Sequence, residues 1–434
     1  MSRQITAPRG TRDLLPEEAP VWNAVEAVAR DLSRRYDFER IDVPLFERTE
    51  LWARGAGETS DVVEKQMFRV AGPQGSDEEA APWALRPEPT ASVVRAYVEH
   101  GMHVRPGPLR LTLTGPMFRY DRPQAGRYRQ FTQWDVEVIG DPGPMVDAEL
   151  VELAHRFFRE VGLDDVVAHV NSIGDDACRP RYREALIAYF SQHEERLTDD
   201  SRRRLSVNPL RVLDDKELAP DLAEGAPRSA DHLCDPCREH FVGVLKLLDA
   251  MGCRHVVDHR LVRGLDYYTR TTFEFFVAGS EGQQQALGAG GRYDGLVELL
   301  GGRATPGIGF GIGLDRTVLA LADHRAEGAV RMLTAPLIAV VGTGDDHADR
   351  LRVASLLRDA GLSVRTDGST RKLGKQLESA AKAGAAHAVI VGEELAGGSV
   401  MVKALRTGEQ STVALDALAG ALGEAATATR PTGS

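Results

Sequence analysis

Cysteine is scarce in this chain. Four in 434 residues cannot build a disulfide framework, which suits a reducing compartment. No apolar run approaches the length needed to span a bilayer, and the opening residues, MSRQITAPRGTRDLLP, lack the apolar stretch of a secretory signal. A cytoplasmic protein without membrane contact is expected. Positive charge is not in excess either, since 53 Lys+Arg stand against 64 Asp+Glu for a net −11. That balance argues at first against nucleic acid. No glycine-rich segment runs into GK[ST], which excludes a Walker-type phosphate loop. There is no internal repeat.

What is present is a soluble globular composition, 42% hydrophobic and 27% charged. The length calls for two or three domains. Charge is uneven along the chain: from Ala335 to the end, 11 basic and 11 acidic residues cancel, so the whole −11 belongs to the remainder. A neutral end domain with a local basic face can still meet phosphates, because binding follows local potential.

Periodicity predicts a helix over 17–36, then a short strand over 39–43 that stops at Pro44, an edge that a second subunit could cover. Strands are predicted at 66–70 and 83–86 around a polar loop, 71–81. Thr90, offering its hydroxyl as N-cap, opens a helix to residue 97. Strands at 109–114 and 131–139, a helix at 145–161 and a strand at 166–170 follow. From about 174 to 251 the texture turns charged, helical and proline-interrupted, as in an inserted domain. Strands return at 256–258, 271–277 and 285–288. Then come a helix over 293–300, a glycine-rich strand at 308–312 and a helix from Leu314. Residues 326–334 read as a linker. Beyond them a βαβαβ alternation predicts a small, mostly parallel α/β domain over 335–420, with 421–434 as a disordered tail.

Four segments carry candidate chemistry. LVRGLDYYTRTTFEF (261–275) sets a permanent cation, Arg263, shortly before the phenols Tyr267 and Tyr268, with Gly264 allowing close backbone approach. Alone, it has a second, less favoured reading as a strand edge with a solvated arginine. GPMFRYDRPQAGRYRQFTQWDVEVIG (115–140) holds Arg119, Arg122, Arg127 and Arg129 between two strands, and guanidiniums match phosphate oxygens. On its second strand Gln133, Asp135 and Glu137 share one face while Trp134, Val136 and Val138 share the other. The first set reads as the floor of a site. LRPEPT (85–90) ends a strand with Glu88 and Thr90, able to hold an ammonium or simply to cap a helix. GAGGRYDG (288–295) and GIGFGIGLDR (307–316) are glycine-rich. The alternation at 307, 309, 311 and 313 leaves one strand face bare for a flat ring, and Arg316 begins the next helix, in reach of a phosphate. One CxxC, Cys234 to Cys237 with His232 and His240 nearby, hints at zinc. There is no second CxxC, and Cys178 and Cys253 lie far off in sequence, so a metal site is not expected.

Taken together, RGTRDLLP (9–16), FRYDRPQAGRYRQFTQWDVEV, GIGFGIGLDR, LVRGLDYY and GAGGRYDG closely resemble the signatures of the histidyl-tRNA synthetase family, class II aminoacyl-tRNA synthetases. The resemblance spans nearly the whole chain. It implies an α+β catalytic core over 1–325, an antiparallel sheet flanked by helices with the insertion at 174–251, followed by a C-terminal α/β anticodon-binding domain. It implies ATP with Mg2+ as substrate, L-histidine and tRNA(His) as partners, no organic cofactor, and a homodimer. Carried over by position, Arg119, Arg263 and Arg316 are implied as catalytic, with Arg263 pressing on the α-phosphate. Glu88, Thr90 and Gln133 are implied to hold the substrate ammonium. Glu137 and Tyr268, with Tyr267 and Tyr293, would address the imidazole, with Arg119 and Arg263 also contacting histidine. Arg119, Arg127, Gly311 and Arg316 are implied to bind ATP. Two positions depart from the family's pattern: Pro89 stands where Gly is usual, and Asp315 where Glu is common. Three rivals are a non-catalytic synthetase-like regulatory subunit of histidine biosynthesis, a class II enzyme for another amino acid, and a pure RNA-binding module.

Overall fold

The structure is a computed structural model that describes residues 4–57, 62–70, 83–213, 215, 217–262, 265–279, 286–323, 337–342, 347–369 and 371–427. Two compact units divide the chain, Met1–Glu327 and Gly328–Ser434. Among the described residues no helix is long and apolar enough to cross a membrane.

In the first unit, helix α1 (Ala19–Arg35) starts on Pro20 and buries Trp22, Val25, Val28, Ala29 and Leu32 along one stripe. Strand β1 (Glu39–Arg40) follows, then β2 (Phe46–Arg48) and α2 (Thr49–Ala56). The strand expected at 66–70 is short: a π-helical turn fills Val62–Gln66, and only β3 (Arg69–Val70) pairs with β4 (Trp83–Leu85). The loop expected at 71–81 lies outside the described residues. Helix α3 (Thr90–Glu99) begins where expected, but the Thr90 hydroxyl is not its cap. The Glu88 carboxylate accepts the free N–H groups of Thr90 and Ala91 instead, a stronger partner for a helix N-terminus than a neutral hydroxyl.

Hairpin β5 (Leu109–Phe118) and β6 (Gln130–Ile139) leads into α4 (Pro144–Val161), β7 (Val166–Ser172), α5 (Arg179–Ser191), α6 (Asp199–Val207), α7 (Pro220–Gly225) and α8 (Asp235–Ala250). Then come β8 (His255–Val257), β9 (Thr269–Val277), β10 (Gly288–Arg292), α9 (Leu296–Leu299), β11 (Gly307–Gly313) and α10 (Leu314–Asp323). The eight-stranded sheet runs β1-β5-β6-β11-β10-β9-β7-β8. It is antiparallel except at its ends, where β1 runs parallel to β5 and β8 to β7.

Trp134, Val136 and Val138 are wholly buried on one face of β6. The Trp134 ring lies 5.0 Å from Phe157 of α4, and its Nε1 donates to Ser33 of α1. This apolar face locks the sheet to two helices and turns Gln133, Asp135 and Glu137 to the opposite side. The strand at β10 reaches four residues beyond the expected 285–288. Its glycines answer a lack of space: a Cβ at Gly290 would overlap Phe310 and Phe273. The helix expected over 293–300 shrinks to α9, because Tyr293 is pulled into the core and the left-handed Gly301 ends the turn.

Within the inserted segment, Tyr182, Leu186, Phe190, Leu205, Val212 and Leu222 build a separate core. Helix α8 packs elsewhere, against α4, where its His240 meets the buried Asp147.

The second unit holds β12 (Leu337–Gly342), β13 (Val364–Thr366) and β14 (Ala385–Val391), all parallel, with β15 (Ser399–Ala404) and β16 (Gln410–Ala414) added antiparallel in the order β13-β12-β14-β15-β16. The antiparallel pair was not anticipated. Nor was the closing helix, Leu415–Thr427, which carries buried Leu418 and Leu422. A tail without structure from 421 is therefore corrected: the chain stays helical to Thr427, because its leucines complete the core beside Val353 and Val400.

Candidate active site

A cleft of about 240 Å³ opens on the polar face of the central sheet. Along its floor, Gly309, Gly311 and Gly313 of β11 stand opposite Glu137, Asp135 and Gln133 of β6. A Cβ at Gly309 would overlap the Glu137 carboxylate, and one at Gly311 the Gln133 amide and the Asp135 carboxylate. The Tyr293 ring lies over Gly307 in the same way. The glycine face expected to be bare is therefore shared. Polar side chains from β6 lean across it, and Gly311 and Gly313 still line the cleft.

One end of the site is acidic. Glu88, Asp135 and Glu137 are each under 5% exposed. Burial, opposed by hydrogen bonds, pushes the Glu137 carboxyl up to about 8. Burial, then the nearby Glu137 and Glu88, holds Asp135 well above the usual carboxylate range, and burial raises Glu88 as well. Glu137 is held by two hydroxyls: Thr90 donates to Oε1 at 2.5 Å and Tyr293 to Oε2 at 2.5 Å. Tyr267 packs 4.7 Å from Tyr268 and edge-on to Tyr293, and its hydroxyl reaches Glu88 at 3.5 Å. Tyr267 and Tyr268 line the acidic end, whereas Glu137 and Tyr293 are buried and are not among the residues that line the cleft. Among the described residues, Gln133 Oε1 and Asp135 Oδ2 are buried without a hydrogen-bond partner. Buried acceptors of this kind call for a ligand that donates.

The other end is cationic. Arg119, Arg127 and Arg316 line it. Arg316 is anchored by the carbonyls of Gly126 and Ala286 at 3.0 and 2.6 Å. Burial, then Arg127 and Arg119, lowers it to about 10. Arg119 joins the two ends: it donates to Pro87 O at 2.9 Å, next to Glu88, and stacks over Phe131 at 5.4 Å. Such a cluster of guanidiniums suits a polyphosphate.

Of the four loop arginines, two reach the cleft. Arg122 is exposed. Arg129 lies 3.9 Å over the Tyr120 ring and donates to Arg9 O, tying down the N-terminal segment. Asp315, which stands where Glu is common in the family, lines the cleft, accepts from the Thr132 N–H at 2.8 Å and faces Arg12. Its shorter side chain braces β6. Arg263 and Gly264 lie outside the described residues. Asp135 lines the cleft, as its period-two place beside Gln133 predicts. Among the lining residues that the sequence did not single out is Glu274 of β9, whose signal was the alternation with buried Phe273 and Phe275.

An antiparallel sheet backed by helices, with buried carboxylates beside a cluster of guanidiniums and a separate α/β unit later in the chain, has the architecture of a class II aminoacyl-tRNA synthetase. The family model described as Histidyl-tRNA synthetase matches residues 10–317, and the one described as Anticodon binding domain matches 337–425. Histidine–tRNA ligase of Desulforamulus reducens is 44% identical over 412 residues, 94% of this chain and 97% of that protein. The apo histidyl-tRNA synthetase of S. aureus superposes with a TM-score of 0.75 at 35% identity, covering 96% of this chain and 100% of that one. An ATP phosphoribosyltransferase regulatory subunit/histidyl-tRNA synthetase from Bacillus halodurans shares the fold alone, with a TM-score of 0.61 at 20% identity over 87% of this chain and 97% of that one. The chain belongs to the histidyl-tRNA synthetase family.

Proposed function

We propose that the protein activates L-histidine with MgATP and transfers it to the 3′ end of tRNA(His). The histidine carboxylate attacks the α-phosphate, pyrophosphate leaves, and the tRNA hydroxyl then attacks the adenylate carbonyl. The observation that carries this reading is the juxtaposition, in one cleft, of a buried acidic end and a guanidinium end joined by Arg119. The orphaned acceptors of Gln133 and Asp135 suit an ammonium, with Glu88 and Thr90 beside them. Glu137, Tyr268, Tyr267 and Tyr293 suit an imidazole, which offers one N–H and one bare nitrogen. Analogues that lack those atoms would leave buried groups unpaired, giving about 10⁴-fold rejection.

Arg119 would hold the α-phosphate and carboxylate, and Arg316 with Arg127 the outer phosphates over Gly311. Arg263 would act on the α-phosphate, a role that rests on its place in the family signature. Magnesium arrives with the nucleotide. The unit over 335–420 would read the anticodon. A homodimer belongs to this reading: β1 is a two-residue edge strand, and Leu45 and Phe46, a few residues further along the chain, are exposed. A cytoplasmic location fits the same role.

A non-catalytic regulator on this fold would not need both ends of the cleft intact. ATP–pyrophosphate exchange across a panel of amino acids tests the reading. Exchange should depend on histidine alone and be followed by charging of tRNA(His). Exchange with another amino acid, or none at all, would overturn it.

A further inference from the structure

Cys178, remote from the CxxC in sequence, is beside it in space. Asp175 Oδ, Cys178 Sγ, Cys234 Sγ and Cys237 Sγ all lie within 4.8 Å of one another. They come from two x-x-spaced pairs at the starts of two helices. Cys178 is the N-cap of α5 and Cys234 the N-cap of α8, with Cys237 in the first turn of α8. We infer that these four side chains form a structural zinc site at the neck of the inserted domain, with three thiolates and one carboxylate as ligands.

Donor type and number come first. Zinc takes four ligands tetrahedrally at about 2.0–2.3 Å, which puts ligand atoms roughly 3.3–3.8 Å apart. The cluster needs to contract by only about 1 Å to reach that spacing. Sulfur-rich sets select zinc over magnesium or calcium. Cys178 and Cys237 are buried at 2% and 0% exposure, as in a closed structural site rather than a catalytic one.

The surroundings fit the charge. Zn²⁺ with three thiolates and a carboxylate carries a net charge of two minus. Two helix N-termini point at it. The Cys234 N–H donates to Cys178 Sγ at 3.1 Å, and the Ala177 N–H to Asp175 Oδ1 at 3.1 Å. Arg270 faces the outer Asp175 oxygen at 3.5 Å. These contacts orient ligands as metal sites require. Gly174, left-handed at φ +68°, is the tight spot of the turn: a Cβ there would sit 2.6 Å from the Cys178 Cβ.

The position explains a use. Apart from Val262, the buried residues of the inserted core run from Tyr182 to Ala226, so residues 178 and 234 bracket them. A metal there closes the neck and sets both α5 and α8, while α8 is already fixed on α4. The alternatives are a small apolar cluster with Leu233 or a disulfide, which a reducing compartment disfavours.

Elemental analysis of the full-length chain, purified under reducing conditions without chelator, should find about one zinc per chain. Cobalt substitution should give the thiolate charge-transfer absorption of a tetrahedral site. Cys178→Ser and Cys237→Ser should lose the metal, whereas Cys253→Ser should keep it and Asp175→Cys should bind it at least as tightly. Should the serine variants fail to fold, the cobalt spectrum and a thiol count on the unaltered chain still decide. No zinc and no cobalt thiolate bands in the reduced protein would overturn the site. So would metal retained in both serine variants, or a disulfide that halves the thiol count. None of these readouts depends on aminoacylation.

Discussion

Glu137 concentrates the chemistry of the site in one carboxyl. It sits between Thr90 and Tyr293 hydroxyls on a strand whose neighbour, Gly309, has no side chain to displace it. Burial raises it from 4.5 to about 8. A carboxyl harder to ionise in the folded chain makes folding take up a proton. Its stability contribution is therefore fully present below about 4.5 and is lost as pH climbs towards about 8. Glu137→Gln removes that titration and keeps a polar group in place. Thermal melts of the ligand-free protein should show the variant gaining on the parent across that window, by on the order of a few kcal/mol, and levelling off above it. A constant difference at every pH would refute the assignment. Period-two reading placed Glu137 correctly on the polar face of β6. It could not show the depth of burial, because that depends on α3 and β11, which are remote in sequence.

Elements are positioned by a second buried network. Arg292, at the end of β10, is wholly buried and grips Asp147 of α4 through Nε at 3.0 Å and Nη2 at 2.5 Å. It also donates to the Asp141 and Gly143 carbonyls, while His240 of α8 completes Asp147 at 2.8 Å. Burial acts to raise Asp147, but hydrogen bonds from His240 and Arg292 outweigh it and hold the carboxyl below its ordinary value. Three elements thus meet on one carboxylate. Asp147→Ala leaves a buried guanidinium unpaired and should cost about 3–5 kcal/mol, read from the denaturant midpoint at unchanged slope. A loss under ~1 kcal/mol would mean that water reaches the pair. The strand expected at 285–288 runs on to Arg292, and the close packing of Phe273 and Phe310 on Gly290 is what keeps glycine there.

For the whole molecule, the division into Met1–Glu327 and Gly328–Ser434 leads to the prediction that adenylation and tRNA recognition are separable. Deleting residues 335–434 should leave histidine-dependent pyrophosphate exchange near its full-length rate while charging of tRNA(His) falls by about 10²-fold or more. Loss of exchange as well would mean that the first unit does not stand alone. Local order was largely legible. Amphipathic stripes marked α1 and α4, alternation marked β6, and the signature runs around Arg119, Tyr267 and Arg316 named most of the cleft. The stripes and the alternation follow from periodicity and residue type, which every short stretch carries within itself, whereas the roles in the cleft came with the family resemblance. Tertiary structure alone decided what depends on distant segments meeting. It turned the Thr90 cap into a Glu88 cap, swung Asp315 onto the β6 backbone, and kept the last helix ordered to Thr427. It also brought Cys178 to Cys234 and Cys237. Spacing along a chain sets which side chains share a face, whereas closure of long loops sets which faces share a space.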